Sequence, residues 1–162
     1  VPADALLGSP QQGRRLLDRL LDVGRIGVAS ELLGVAREAF ERTLAYLRER
    51  KQFGVAIGSF QALQHRAARL HCEIELGQSV VIKAQQAVDA DAADCAELAS
   101  LAKARLAETA QLSTAEAIQM HGGIGMTDDF DIGFFLKRYR VLDSLFGDRY
   151  YHLDRYARLR GY

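Results

Sequence analysis

After Pro10 this 162-residue chain contains no further proline. Proline removes a backbone donor and breaks helix interiors, so so long a run without it favours long, unbroken helices. Hydrophobic residues make up 49% of the chain, which allows a sizeable core. The length corresponds to one ordinary domain.

The apolar pattern supplies the helices. From Leu16 to Leu47 apolar positions recur at spacings of three and four, with Leu17, Leu20, Leu21, Val28, Leu32, Val35, Ala39, Thr43 and Leu47 on one stripe. This predicts one long helix that ends near RERKQFG. Gly54 and Gly58 mark a connection, and residues 55–57 are too short to read as a strand. Ser59 is placed as the N-cap of a second helix. The stripe of that helix is Phe60, Leu63, Ala67, Leu70, Ile74, Val81, Ala84 and Val88.

DADAAD, residues 89–94, is a polar turn. Asp94 and Glu97 have capping-box spacing and start a third helix. It runs through Leu98, Leu101, Leu112 and Ile118 to Met120, where the glycines of HGGIG stop it. A shorter helix is expected from Asp129 to Arg140, with Phe130, Phe134 and Phe135 in the core and Asp128, Asp129 and Asp131 at its start. LFGD makes a second break, and Asp148 caps a last helix from Arg149 to Leu159. Long helices with short connections predict an all-α, up-and-down helical bundle. Residues 1–13, VPADALLGSPQQG, show turn residues and no period. They read as the end of a linker, with the bundle domain over residues 14–162.

Charge and composition narrow the function. Lys and Arg total 21, as do Asp and Glu, which argues against a broad basic surface for nucleic acid or an anionic membrane. No stretch approaches the roughly 20 apolar residues of a membrane span, and residues 1–24 lack a signal-peptide pattern. Cys72 and Cys95, 23 apart, match no metal or redox spacing and suit a reducing, cytoplasmic setting. His65, His71, His121 and His152 belong to no Glu-x-x-His pair, so no metal site is assigned.

Two segments carry candidate chemistry. RERKQFGVAIGSFQALQ, residues 48–64, gathers Arg50, Gln52, Gln61 and Gln64 around a helix break. Arg50 is a planar, permanent cation suited to a pyrophosphate. Gln52 and Gln61 offer amides to a nucleobase or ribityl chain. The same residues also describe an ordinary solvated helix end. QMHGGIGMTDDF, residues 119–130, sets Gln119 one turn before tandem glycines, where a ligand can approach backbone N–H groups. It is equally a plain helix C-cap, and it is no dinucleotide fingerprint because no strand precedes it. His121, inside this segment, is the histidine best placed for a ligand.

RKQFGVAIGSFQALQ and QMHGGIGM, about 70 residues apart on an all-helical chain, together resemble the two signature segments of the acyl-CoA dehydrogenase C-terminal domain. RIGVASELLGVAREAFERTLAYLRERKQFG also fits, with Arg25 lying 25 before Arg50. VPADALLG resembles the exit from the family's middle β-domain. The resemblance implies an FAD-dependent oxidoreductase that converts an acyl-CoA to a trans-2-enoyl-CoA. A carboxylate removes the α-proton, the β-hydrogen moves as hydride to the flavin, and electrons pass to an electron-transferring flavoprotein. It also implies a homo- or hetero-oligomer, dimer or tetramer, of subunits with an N-terminal helical domain, a middle β-domain and this bundle. By resemblance, Arg50, Gln52, Phe53 and Gln61 hold FAD across a dimer interface. Gln119, Met120, His121, Gly122 and Gly123 hold its adenosine–pyrophosphate side, and Arg25 lies near the acyl-CoA.

The chain departs from the family pattern where the base is expected. The usual Tyr-Glu-Gly-Thr run is replaced by Leu145-Phe146-Gly147-Asp148. Ungapped counting puts Phe146 at the base position, and a shift of one puts Gly147 there. Other branches carry the Glu just before the arginine equivalent to Arg25, and that position is Gly24. Either Asp148 is an unusual catalytic base, or a different subunit of a heteromer supplies one, as in steroid side-chain dehydrogenases of actinobacteria. Asp148 is off register and one methylene shorter than Glu, which favours the second version. The alternatives are a non-catalytic helical assembly module that keeps the fold, and an acyl-CoA oxidase that uses oxygen directly.

Overall fold

The structure, a computed structural model, describes residues 2–6 and 8–162; Val1 and Leu7 of the VPADALLG segment lie outside it. Single 3-10 turns at Ala3–Ala5 and Pro10–Gln12 lead into α1 (Gly13–Glu49). A hairpin of β1 (Lys51–Gln52) and β2 (Val55–Ala56) and a 3-10 turn at Ile57–Ser59 follow. Then come α2 (Gln61–Asp89), α3 (Cys95–His121), a 3-10 stretch over Gly122–Met126, α4 (Ile132–Ser144) and α5 (Arg149–Leu159). The architecture is the helical bundle the periodicity predicts.

α3 is the central helix because it is apolar or small on every side. Ala99, Ala102, Leu106, Ala107, Ala110 and Ala117 are buried, as are Ser100, Thr109, Ser113 and Thr114. A helix that is hydrophobic all round has to be covered all round. α1 covers it with Ile26, Ala29, Leu32, Ala36 and Phe40, and α2 with Leu70, Ile74, Val81 and Ala84. α4 and α5 pack on the rest. Small side chains let the backbones come close: Ser113 donates its hydroxyl to the Ala36 carbonyl at 2.7 Å.

Several local expectations are corrected. The segment 51–56 does form strands, pairing Lys51 with Ala56 and Gln52 with Val55. Phe53 (φ 53°) and Gly54 (φ 80°) make the two-residue turn with left-handed backbone that such a hairpin requires. Leu17 and Leu20 are 50% and 68% exposed, since among the described residues no helix covers the first turns of α1; its buried face begins at Asp22. Ser59 is not a cap: its hydroxyl donates to the Ala56 carbonyl at 2.7 Å, and Phe60 occupies the N-cap position. The Asp94–Glu97 capping box does not form, and Glu97 pairs with Arg160 at 3.3 Å. α4 begins at Ile132 and ends at Ser144, with Asp131 bonded to Arg42 of α1 instead of capping. Phe134 is 57% exposed, whereas Phe130 and Phe135 pack against the Ala39, Ala117 and Ile132 cluster.

Candidate functional site

The antiparallel course of the helices brings both signature segments to one end of the bundle. α1 and α3 end there and α2 begins there. Tyr46 ties the two ends together, stacking on His121 at 4.3 Å and donating its hydroxyl to the His121 carbonyl at 3.3 Å. The hairpin folds back onto α1 at Gly58, where a Cβ would stand 2.8 Å from the Leu47 carbonyl oxygen. Glycine is the residue that permits this approach.

Arg50 leaves α1 in extended backbone, and its carbonyl accepts from the Ile57 N–H at 2.8 Å. The side chains of Arg50, Gln52, Gln61 and Gln119 are all exposed. Phe53 is 92% exposed and meets Phe60 edge-on at 6.2 Å. Gly122 (φ +66°) and Gly123 present open backbone, with nothing within 4 Å of where a Cβ would stand. Met120 and His121, in contrast, turn inward and are each 4% exposed. The His121 Nδ1–H donates to the Ala117 carbonyl at 2.7 Å, and Nε2 has no partner among the described residues. Burial pushes the pKa of this ring down, so it is a neutral brace beneath the glycine turn.

A second feature lies roughly 37 Å back along α1, the rise of the helix from Arg50 to Arg25. Here residues 145–148 join α4 to α5. Phe146 (φ 59°) and Gly147 (φ 106°) are both left-handed, and a Cβ on Gly147 would collide with the Tyr151 ring. The Phe146 ring lies on Gly24: a Cβ there would stand 3.0 Å from Cε2. The two positions from which the resemblance draws a base are therefore in contact, and they are a phenyl ring and a glycine. Asp148 is exposed, and its carboxylate accepts the Tyr151 N–H at 2.8 Å as the cap of α5.

Beneath this turn lies a buried polar cluster that sequence reading missed. Lys103 is fully buried, and its Nζ donates to the Asp143 carbonyl at 2.8 Å and the Gly147 carbonyl at 2.9 Å. His152, also fully buried, reaches the Phe146 carbonyl through Nε2 at 3.2 Å. A carbonyl only accepts, so Nε2 carries the hydrogen. Arg25 is 6% exposed; it donates from Nε to the Phe146 carbonyl at 3.4 Å and pairs through Nη1 with Asp22 at 2.8 Å. Arg155 joins Asp22 at 2.8 Å and the Ser100 hydroxyl at 2.7 Å. Burial lowers the Lys103 amine to about 8, against the opposing pull of Asp143 and Asp148. Burial, then the Lys103 and Arg25 charges, lowers His152 to about 4. Arg25, expected near the acyl-CoA, is thus committed to Asp22 and the turn. The only trace of the cluster in the sequence is one lysine inside the small-residue run LASLAKARLA.

The profile of the acyl-CoA dehydrogenase C-terminal domain matches residues 11–159. A probable acyl-CoA dehydrogenase of Bacillus subtilis is 38% identical over 143 residues, covering 88% of this chain and 37% of that protein. Butyryl-CoA dehydrogenase of Megasphaera elsdenii superposes with a TM-score of 0.94 at 28% identity, over 99% of this chain and 42% of that chain. A variant of the Tcur3481-Tcur3483 steroid acyl-CoA dehydrogenase superposes with a TM-score of 0.83 at 34% identity, over 86% of this chain and 38% of that chain. The chain belongs to the acyl-CoA dehydrogenase family, as its C-terminal helical domain. It spans about two-fifths of the length of these relatives. Enzymes of the family use FAD. Among the described residues no helix is long and apolar enough to cross a membrane, and no three metal-ligating side chains cluster.

Proposed function

We propose that this chain is the C-terminal domain of an FAD-dependent acyl-CoA dehydrogenase working as one subunit of a heteromer, in which another subunit carries the base. The observation that carries this reading is the contact of Phe146 with Gly24, with no carboxylate at either position. Residues 1–13 are then the linker from a middle β-domain.

The hairpin end fits a dinucleotide. Arg50 offers a fixed charge for the pyrophosphate, and Gln52, Gln61 and Gln119 offer exposed amides for sugar, ribityl and base groups. Phe53 adds an apolar face, and Gly122 and Gly123 leave room for a ligand to come close to the backbone, with the Gly122 N–H itself donating to the Gln119 carbonyl. When bound, FAD supplies the acceptor for the β-hydrogen and its electron pair, which then pass on to an electron-transferring flavoprotein. The separation of roughly 37 Å between this end and Arg25 suits an oligomer in which each bundle completes a neighbour's flavin site.

At the other end the chain's own residues bind and shape and do not remove the proton. A base must come within about 3 Å of that proton. Phe146 and Gly24 have none to offer, and Asp148 stands off register at the start of α5, where one of its carboxylate oxygens accepts the Tyr151 N–H. The test is reductive bleaching of bound flavin by acyl-CoA, using the full-length protein alone and with the product of its neighbouring gene. Bleaching only in the mixed complex supports the heteromer. Rapid bleaching by the homomer contradicts it, and a full-length protein without flavin absorbance points to an assembly module.

A further inference from the structure

The 145–148 turn is held from inside the bundle by more polar groups than a helix connection needs. Three buried donors on three different helices converge on two adjacent carbonyls: Arg25 of α1 and His152 of α5 on Phe146, and Lys103 of α3 on Gly147. Lys103 also takes the Asp143 carbonyl near the end of α4. It makes no ion pair among the described residues, although a buried ammonium is costly without one. The backbone it holds is strained, with a phenylalanine in the left-handed region before a glycine that Tyr151 does not allow to be larger. Strain of this kind persists where surrounding groups over-determine it. What the strain delivers is the position of one side chain: the Phe146 ring, 40% exposed, laid on Gly24. One turn back on the same face of α1 stands Leu20, 68% exposed, which extends the apolar surface.

We propose that Lys103 is a positioning residue that fixes the Phe146 ring against Gly24, and that the ring so fixed is an apolar wall that selects the acyl group by shape. The second half rests on the acyl-CoA reading above; the first does not. Lys103 touches no substrate and acts only through the Gly147 and Asp143 carbonyls. The charged and titratable groups facing it are Asp143, Asp148 and His152.

The test has two arms, both in the full-length protein. In the first, exposed cysteines, Cys72 among them, are replaced by serine, and Phe146→Cys supplies a thiol whose modification rate by a soluble disulfide is measured. Lys103→Met is expected to change that rate by about tenfold or more while leaving a control thiol from Phe134→Cys within twofold. Unchanged rates at both positions overturn the proposal. Parallel changes at both show general loosening, a merely structural lysine, and overturn it as well. In the second arm, Lys103→Met and Phe146→Ala are assayed in the assembled enzyme with a series of acyl-CoA substrates. Both are expected to raise KM several-fold and flatten the preference among acyl groups, with FAD content unchanged. A positive first arm with unaltered preference keeps the positioning role and removes the selective wall. A complex without acyl-CoA activity removes the acyl-CoA reading instead.

Discussion

The Phe146 ring rests on the bare Cα of Gly24, close enough that a Cβ there would stand 3.0 Å from Cε2. Glycine within a helix costs about 1 kcal/mol relative to alanine, so this contact has an energetic signature. Gly24→Ala is expected to be near neutral in the native background, where helix propensity and crowding oppose each other. In Phe146→Ala the same change is expected to stabilise by about 0.5–1 kcal/mol. Urea unfolding of the four variants gives the coupling, and additivity of the two changes would mean that the ring does not constrain Gly24.

Arg42 lies near the end of α1 and Arg50 just beyond it, and the two do different things. Arg42 pairs with Glu38 and Asp131 beside the Phe135 ring, while Arg50 stands exposed at the hairpin end. Arg50→Ala in the full-length protein is expected to weaken FAD binding by about 1.5–3 kcal/mol, the worth of a charge-assisted contact. Arg42→Ala is expected to leave FAD content intact and to cost at most about 1 kcal/mol of stability, as exposed pairs do. FAD content after gel filtration separates the two, and equal retention would reduce Arg50 to a surface charge.

The buried Lys103 and His152 predict two separate pH limbs, one alkaline and one acid, with the same sign. The Lys103 amine titrates near 10.5 when unfolded and about 8 when folded. Between those values the unfolded chain binds more protons, so stability rises with pH, by up to about 3 kcal/mol. His152 titrates near 6.5 unfolded and about 4 folded, so stability falls as pH drops through that window, by a similar amount. Denaturation across the pH range should show the alkaline rise missing in Lys103→Met and the acid slope shallower in His152→Gln. Unchanged slopes in these variants would place the two groups in water.

Asp148 caps α5 through the Tyr151 N–H. Asp148→Ala is therefore expected to cost about 0.5–2 kcal/mol and Asp148→Asn very little, because asparagine caps as well as aspartate. Thermal unfolding of both variants measures this, and equal losses would deny the cap.

Most of the bundle was legible in the sequence because helical period is a strong signal over thirty-odd residues. The 149–159 helix and its Asp148 cap appear as read. The hairpin at 51–56 was not legible, since two-residue strands leave no alternation to detect. Ser59 and Asp94 carry capping residue types, yet their partners are fixed by the loop's path, which composition does not encode. At the candidate site, Arg50, Gln52 and the glycine pair stand exposed at one end of the bundle. Met120 and His121 belong to the same motif but face the core, because only one side of the last turn of α3 can look outward. The Lys103, His152 and Arg155 cluster joins helices about 50 residues apart, and no local pattern announces such a meeting.

In the heteromer proposed above, the proton is removed by a group outside this chain. The most direct measurement is the single-turnover rate of flavin reduction by acyl-CoA in the assembled complex, native against Asp148→Asn. Asparagine keeps the cap and the shape and removes the capacity to accept a proton. A rate within about tenfold of the native complex is expected, because a cap residue makes no contribution to the proton transfer. A collapse of about 10²–10⁴-fold, the loss expected on removing a general base, would contradict it and make Asp148 the catalytic residue.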